Sequence, residues 1–183
     1  MTPIKECLIN NRTDLNPIWL MRQAGRYLPE FREIRKKNTN FIELCLNPIL
    51  SEEITLQPID RFDFDAAIIF SDILMVPYGL GQNVEFKKNF GPNLGEINLD
   101  VLSKLDENQF TEKLSPIYKL LENLSKSHKL KNKDLIGFVG APWTLLVYMI
   151  NKVSPKKGLS SNFFENLDLI DSLLIILDRF VKI

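Results

Sequence analysis

The chain has 183 residues, 45% of them hydrophobic and 25% charged, a composition sufficient for one apolar core. Its 23 basic and 23 acidic side chains cancel, which argues against nucleic acid as a main partner. Cys7 and Cys45 form no C-x-x-C pair and have no histidine close in sequence, so reduced thiols are expected rather than a zinc or iron–sulfur site.

Pro17 to Met21 is a short apolar run that predicts a buried strand. It leads directly into Arg22-Gln-Ala-Gly-Arg26. Residues 29–37 and 40–46 predict helical turns, separated by Asn38-Thr39-Asn40 and closed by Asn47-Pro48. Ile49 to Phe62 predicts an amphipathic helix starting near Ser51, with Glu52 and Glu53 in its first turn; Pro58 predicts a kink or an early stop. Ala66 to Phe70 is a continuous apolar run between helical segments, the pattern of a parallel strand covered on both faces, and it ends at Ser71-Asp72. Residues 77–98, with Gly79, Gly81, Gly91, Pro92 and Gly95, predict a long loop containing a hairpin. One or two helices are expected over 99–128, then a buried strand from Leu135 to Val139 ending at Gly140-Ala-Pro-Trp-Thr144. A helix is expected from 144 to 151, a polar connection over 152–161, and a strongly apolar helix over 163–182. Alternation of this kind predicts an α/β fold with parallel strands. Three strands do not close a barrel, so the chain reads as the first part of something larger. The N-terminus lacks the layout of a signal peptide, and no apolar run approaches the ~20 residues that span a bilayer. A soluble cytoplasmic protein is expected.

In parallel α/β folds, functional groups gather at the carboxyl ends of strands. Arg22 and Arg26 are expected at the first such end. A guanidinium presents a planar fork that pairs bidentately with carboxylates or phosphates, and Gly25 between the two allows a sharp turn or close approach of a ligand. With Arg32, Arg35, Lys36 and Lys37 they give residues 22–37 six basic and two acidic side chains, which points to a small polyanion as ligand. The alternative is solvated arginines paired with Glu30 or Glu33. Asp72 at the second strand end is the candidate catalytic carboxylate, unless it only caps the next turn. Asp63 and Asp65 are expected at the opposite end of that strand. His128, the lone histidine, lies in the polar stretch 125–133 and is expected to be solvated, so a His-based triad is not expected.

Met21-Arg-Gln-Ala-Gly-Arg-Tyr-Leu-Pro-Glu-Phe-Arg32 closely resembles the N-terminal signature of the uroporphyrinogen decarboxylase family. Phe70-Ser-Asp-Ile-Leu74 and Gly137-Phe-Val-Gly-Ala-Pro-Trp-Thr-Leu145 are similar to two further family motifs, and the likeness covers nearly the whole chain. The resemblance implies a (β/α)8 TIM barrel, of which residues 1–183 would be a truncated N-terminal portion holding the first three or so β/α units. It implies decarboxylation of the acetate side chains of uroporphyrinogen III to give coproporphyrinogen III, without cofactor or metal, by a cytoplasmic homodimer. Asp72 would be catalytic; Arg22, Gln23, Ala24, Gly25, Arg26, Arg35, Asp72 and Tyr148 would bind substrate; Trp19, Phe70, Tyr78 and Trp143 would shape an apolar pocket. A serine and a histidine of the family's later strands have no counterpart in these residues. Locally, Ile150-Asn-Lys-Val-Ser154 replaces the family's usual Glu-Gly-Gly after Tyr-Met. The alternatives are a methyl-transferring relative on the same barrel and a non-catalytic porphyrin-binding fragment. No nucleic-acid or membrane partner is expected.

Overall fold

In the computed structural model, which describes residues 1–87 and 90–183, the elements follow in this order: α1 (Pro3–Asn10), α2 (Pro29–Lys37), α3 (Phe41–Cys45), α4 (Pro48–Phe62), β1 (Ala66–Ile68), α5 (Met75–Gly79), β2 (Val84–Lys87), β3 (Gly91–Leu94), α6 (Leu99–Lys104), α7 (Glu107–Lys113), α8 (Ser115–Lys126), β4 (Asp134–Ile136), α9 (Pro142–Asn151) and α10 (Leu167–Phe180). Lys88 and Asn89, within the expected loop 77–98, lie outside the described residues. The chain divides into two compact units. One comprises Met1–Thr39, Glu43–Ser71 and Pro116–Phe138; the other comprises Asn40–Ile42, Asp72–Ser115 and Val139–Ile183.

In the first unit β1 and β4 pair in parallel, Ala67 opposite Leu135. Alternation of side chains along β1 and the residue after it sends Ala67 and Ile69 into a cluster with Leu56 and Ile59 of α4 and Leu120 and Leu124 of α8. Each of the leucine and isoleucine side chains among these contributes roughly 1.5–3 kcal/mol when fully buried. Helix α4 starts earlier than its acidic turn predicts. Asn47 is the cap, its Oδ1 accepting the Leu50 N–H at 3.1 Å, while Ser51 is buried inside the helix and its hydroxyl donates to Leu44 O at 2.8 Å. Nor does Pro58 stop the helix, which runs on to Phe62. An interior proline costs about 3 kcal/mol, and burial of Ile54, Leu56 and Ile59 around it offsets that cost. Helix α2 buries Phe31 and Ile34 against Leu28, Leu44 and Ile54.

The expected first strand does not form. Residues 17–21 meet the chain before β1 through one backbone bond, Asp65 N–H to Ile18 O at 2.9 Å, and the Asp65 carboxylate accepts the Ile18 N–H at 2.7 Å. Ile18, Trp19, Leu20 and Met21 are all exposed. An apolar run becomes an interior strand only with neighbours on both edges, and this run has a neighbour on one.

In the second unit the expected hairpin is present: β2 and β3 are antiparallel, with Val84 opposite Leu94, and Gly91 takes a φ of 87° that favours glycine. The expected loop also contains α5, held against α7 so closely that a Cβ on Gly79 would lie 2.6 Å from the Phe110 ring. The region 99–128 divides into α6, α7 and α8 instead of one or two helices; Asp106 and Gln109 form a reciprocal capping box that restarts the helix at α7. The polar connection after α9 is tied down: Lys152 O accepts the Leu94 N–H at 2.7 Å, and Val153 bridges to Asn93. Helix α10 begins at Leu167, capped by Asn166, and buries Ile170, Leu173, Leu177 and Phe180, the last against Phe110 with ring centroids 4.9 Å apart. Its apolar stripe is thus largely covered within the unit.

The chain is α/β, and among the described residues its strands make one parallel pair and one hairpin rather than a closed barrel. No helix among those residues is long and apolar enough to cross a membrane. Among the described residues Cys7 and Cys45 are in no disulfide, and His128 is exposed as its polar surroundings predict.

Candidate active site

The arginine turn lies in the first unit and is built around Gln23, which is only 2% exposed. Its carboxamide oxygen accepts the Leu20 N–H at 3.2 Å and its nitrogen donates to Ala66 O at 2.9 Å. Leu20 O in turn accepts the Gln23 N–H at 3.2 Å, and Gly25 O accepts the Leu28 N–H at 3.0 Å. Arg22 and Arg26 project from this turn and are exposed. Ala66 is the first residue of β1, so the turn is anchored at the amino end of that strand. The strand over 17–21, at whose carboxyl end the arginines are expected, does not form, so the turn follows an irregular segment. Gly25 does not take a positive φ; an added Cβ would meet the Tyr27 ring at 3.7 Å, an ordinary contact. Ala24 packs beside the Leu28 cluster.

Arg35 has another environment. It is half-buried on α2, and its Nη1 donates to Asn38 O at 2.5 Å and Thr39 O at 3.4 Å. Burial, and then the positive charge of Arg26, hold its pKa below the ordinary arginine value. Part of its donor fork therefore closes the loop after α2.

Asp72 opens the second unit. Just before it, Phe70 N–H donates to the Thr55 hydroxyl at 2.9 Å, fixing the end of the apolar run. Asp72 Oδ1 accepts the Leu74 N–H at 2.9 Å and its carbonyl accepts the Met75 N–H at 3.1 Å, a turn that opens α5. The turn-capping reading of this residue is therefore realised. It caps a turn, and it is also half-buried, so that burial pushes its carboxyl pKa above the ordinary value; the Leu74 bond opposes the shift.

Tyr148 is half-buried on α9. The approach to this helix is tight. A Cβ on Gly140 would lie 2.5 Å from Leu145 Cδ2 and 3.1 Å from the Cβ of Ile73, the neighbour of Asp72. Of the four aromatic residues expected around a pocket, Trp19 is 42% and Trp143 49% exposed, Trp143 lying edge-on to Phe163 at 5.9 Å. Phe70 packs edge-on to Phe31 at 5.8 Å, and Lys113 lies 4.6 Å over the Tyr78 ring. Sequence reasoning did not single out Thr55, the Leu74 amide or the steric need for Gly140. A hydroxyl inside an apolar helix face was the one signal available for Thr55.

Chemically, two exposed guanidiniums can pair with carboxylates, and a carboxylate kept partly from water can accept N–H bonds and stabilise a cation. A family model described as Uroporphyrinogen decarboxylase (URO-D) matches residues 2–181. Among curated proteins the chain is similar to the uroporphyrinogen decarboxylase of Chelativorans sp. (strain BNC1), 51% identical over 143 residues, which cover 78% of this chain and 42% of that protein. It is similar also to those of Agrobacterium fabrum, 51% identical over 134 residues, and Mesorhizobium japonicum, 50% identical over 135 residues, each covering 73% of this chain and 39% of the relative. The chain thus spans less than half the length of these relatives.

Proposed function

This chain belongs to the uroporphyrinogen decarboxylase family, and we propose that it supplies the carboxylate-binding and cation-stabilising residues for converting uroporphyrinogen III to coproporphyrinogen III. Residues 1–183 would form the N-terminal portion of a single (β/α)8 barrel, active as a homodimer once the barrel is complete.

The substrate is an octacarboxylate on a ring of four pyrroles. Arg22 and Arg26 pair with its side-chain carboxylates through their guanidinium forks, and Arg35 adds positive charge beside Arg26. Tyr148 contributes a substrate contact. Protonation of a pyrrole carbon makes that ring an electron sink. The bond between the acetate methylene and its carboxylate then breaks, CO2 leaves, and the electron pair moves into the ring. A proton delivered to the methylene carbon completes the methyl group, and release of the proton first added to the ring carbon restores the neutral pyrrole. Asp72 accepts hydrogen bonds from pyrrole N–H groups and stabilises the cationic ring, so no electron-accepting cofactor is required.

The observation that carries this reading is that one family-matched chain holds both the exposed Arg22 and Arg26 and, elsewhere, a carboxylate at Asp72 whose pKa burial raises. The test is to offer uroporphyrinogen anaerobically to the chain alone and to the chain joined to the remaining C-terminal part of the Chelativorans relative, and to follow CO2 and coproporphyrinogen. Turnover is expected from the joined protein and not from the chain alone. A folded joined protein without turnover would remove the reading. The chain binding the substrate without the joined protein turning it over would favour a porphyrin-binding role.

A further inference from the structure

Gln23 sits inside the segment expected to bind substrate, yet both polar atoms of its buried side chain are already hydrogen-bonded within the fold. Its carboxamide oxygen holds the Leu20 N–H and its nitrogen holds Ala66 O, at 3.2 and 2.9 Å, in a residue 2% exposed. Its backbone carbonyl accepts the Tyr27 hydroxyl. Arg32, exposed on α2, also reaches this turn: its Nη1 donates to Arg26 O at 2.9 Å and to Tyr27 O at 3.1 Å. The Tyr27 ring is stacked on Phe62, with centroids 6.2 Å apart, and Phe62 lies tilted against Phe64 at 5.5 Å. The backbone from Leu20 to Tyr27 is therefore fixed at several points, one of them the first residue of β1, while the two guanidiniums it carries remain exposed.

We propose that Gln23, Tyr27 and Arg32 form a positioning clamp that presents Arg22 and Arg26 as a preorganised pair to a polycarboxylate, and that none of the three contacts the ligand through its side chain. This rests on the proposed function and reassigns Gln23, which the family resemblance places among the binding residues. The chemistry explains the residue type. A carboxamide carries a donor and an acceptor on one planar group. Glutamate would lose the bond to Ala66 O, and an apolar side chain would leave both Ala66 O and the Leu20 N–H unpaired in a buried place. A fixed backbone beneath the forks lowers the ordering cost of binding, and bidentate pairing depends on that orientation in a way a point charge does not.

The test is a double-mutant comparison with uroporphyrin, the stable oxidised octacarboxylate, titrated by fluorescence against the 183-residue chain. Gln23→Ala is expected to weaken binding about tenfold and Tyr27→Phe about threefold when Arg22 and Arg26 are present. In the Arg22→Lys/Arg26→Lys background both losses should shrink to about twofold or less, because lysine needs no oriented fork. Equal losses in the two backgrounds would mean that Gln23 touches the ligand directly, and the clamp would fall. No loss in the arginine background would mean that its hydrogen bonds serve the fold alone, and the clamp would again fall. Either result leaves the polycarboxylate reading standing. A wild-type chain that ignores uroporphyrin would instead defeat that reading, and the clamp with it. If Gln23→Ala does not fold, Tyr27→Phe, which removes one hydroxyl from a residue 52% exposed, carries the same comparison.

Discussion

The arginine turn and the Asp72 turn treat charge in opposite ways. At Arg22 and Arg26 the charged heads stay in water while the backbone beneath them is fixed by buried hydrogen bonds from Gln23. At Asp72 the charge itself is drawn partly out of water, with the Leu74 N–H as the one side-chain hydrogen bond among the described residues, so its pKa rises. The first arrangement keeps its charge at little desolvation cost and suits capture of a diffusing anion. The second holds a carboxylate under desolvation, a cost that a cation placed beside it would relieve. In the proposed function binding and stabilisation fall to different kinds of surroundings, and substitutions at the two should fail differently.

The largest expected effect is on turnover. In the joined, active protein Asp72→Asn should lower kcat on the order of 10²–10³ while KM changes little, the size typical of removing one electrostatic stabiliser. Near wild-type turnover in a folded variant breaks the contrast on the Asp72 side. Next is the packing beside Asp72. Gly140→Ala places a Cβ 2.5 Å from Leu145 Cδ2 and 3.1 Å from the Ile73 Cβ, and overpacking of this kind should cost about 1–3 kcal/mol in denaturant unfolding. Unchanged stability would show that Leu145 swings aside. Third, Arg22→Lys or Arg26→Lys should weaken uroporphyrin binding by about tenfold through loss of the bidentate fork, with no shift in Tm because both side chains are exposed. A loss of stability without a loss of affinity would make these arginines structural.

The smallest effect separates the two regions by pH. A carboxylate raised above its ordinary value near 3.8 binds more protons folded than unfolded between that value and the raised one. Stability therefore falls as pH rises through this window. Asp72→Asn removes the ionisable group and keeps an oxygen for the Leu74 N–H. The variant should gain in Tm relative to wild type between pH 4 and pH 7, measured by thermal unfolding at both. An identical Tm difference at the two pH values would show that burial does not tax this charge.

Much of the architecture was legible because its signals are local. The continuous run at Ala66 announced β1, the turn residues announced the β2–β3 hairpin, and Asn38-Thr39-Asn40 and Asn47-Pro48 correctly bounded α2 and α3. Arg22, Arg26 and Asp72 could be nominated by residue type and position in the run of elements. Their surroundings could not. Helix α4 shows the reason within one element: its acids at 52 and 53 marked a start that Asn47 supplies instead, and Pro58 marked a stop that burial of Ile54, Leu56 and Ile59 overrides.

By itself, then, the sequence determined the α/β character, the family, and which side chains could carry charge to a ligand. Only the tertiary structure decided that residues 17–21 stay unpaired on one edge, that α10 covers most of its apolar stripe, and that the Gln23 carboxamide bonds to Leu20 and Ala66. Each of those outcomes depends on a partner far along the chain. The bond from Gln23 to Ala66 joins residues 43 apart, and a carboxamide that can hold a ligand or a strand reveals which it holds only when the strand is in place.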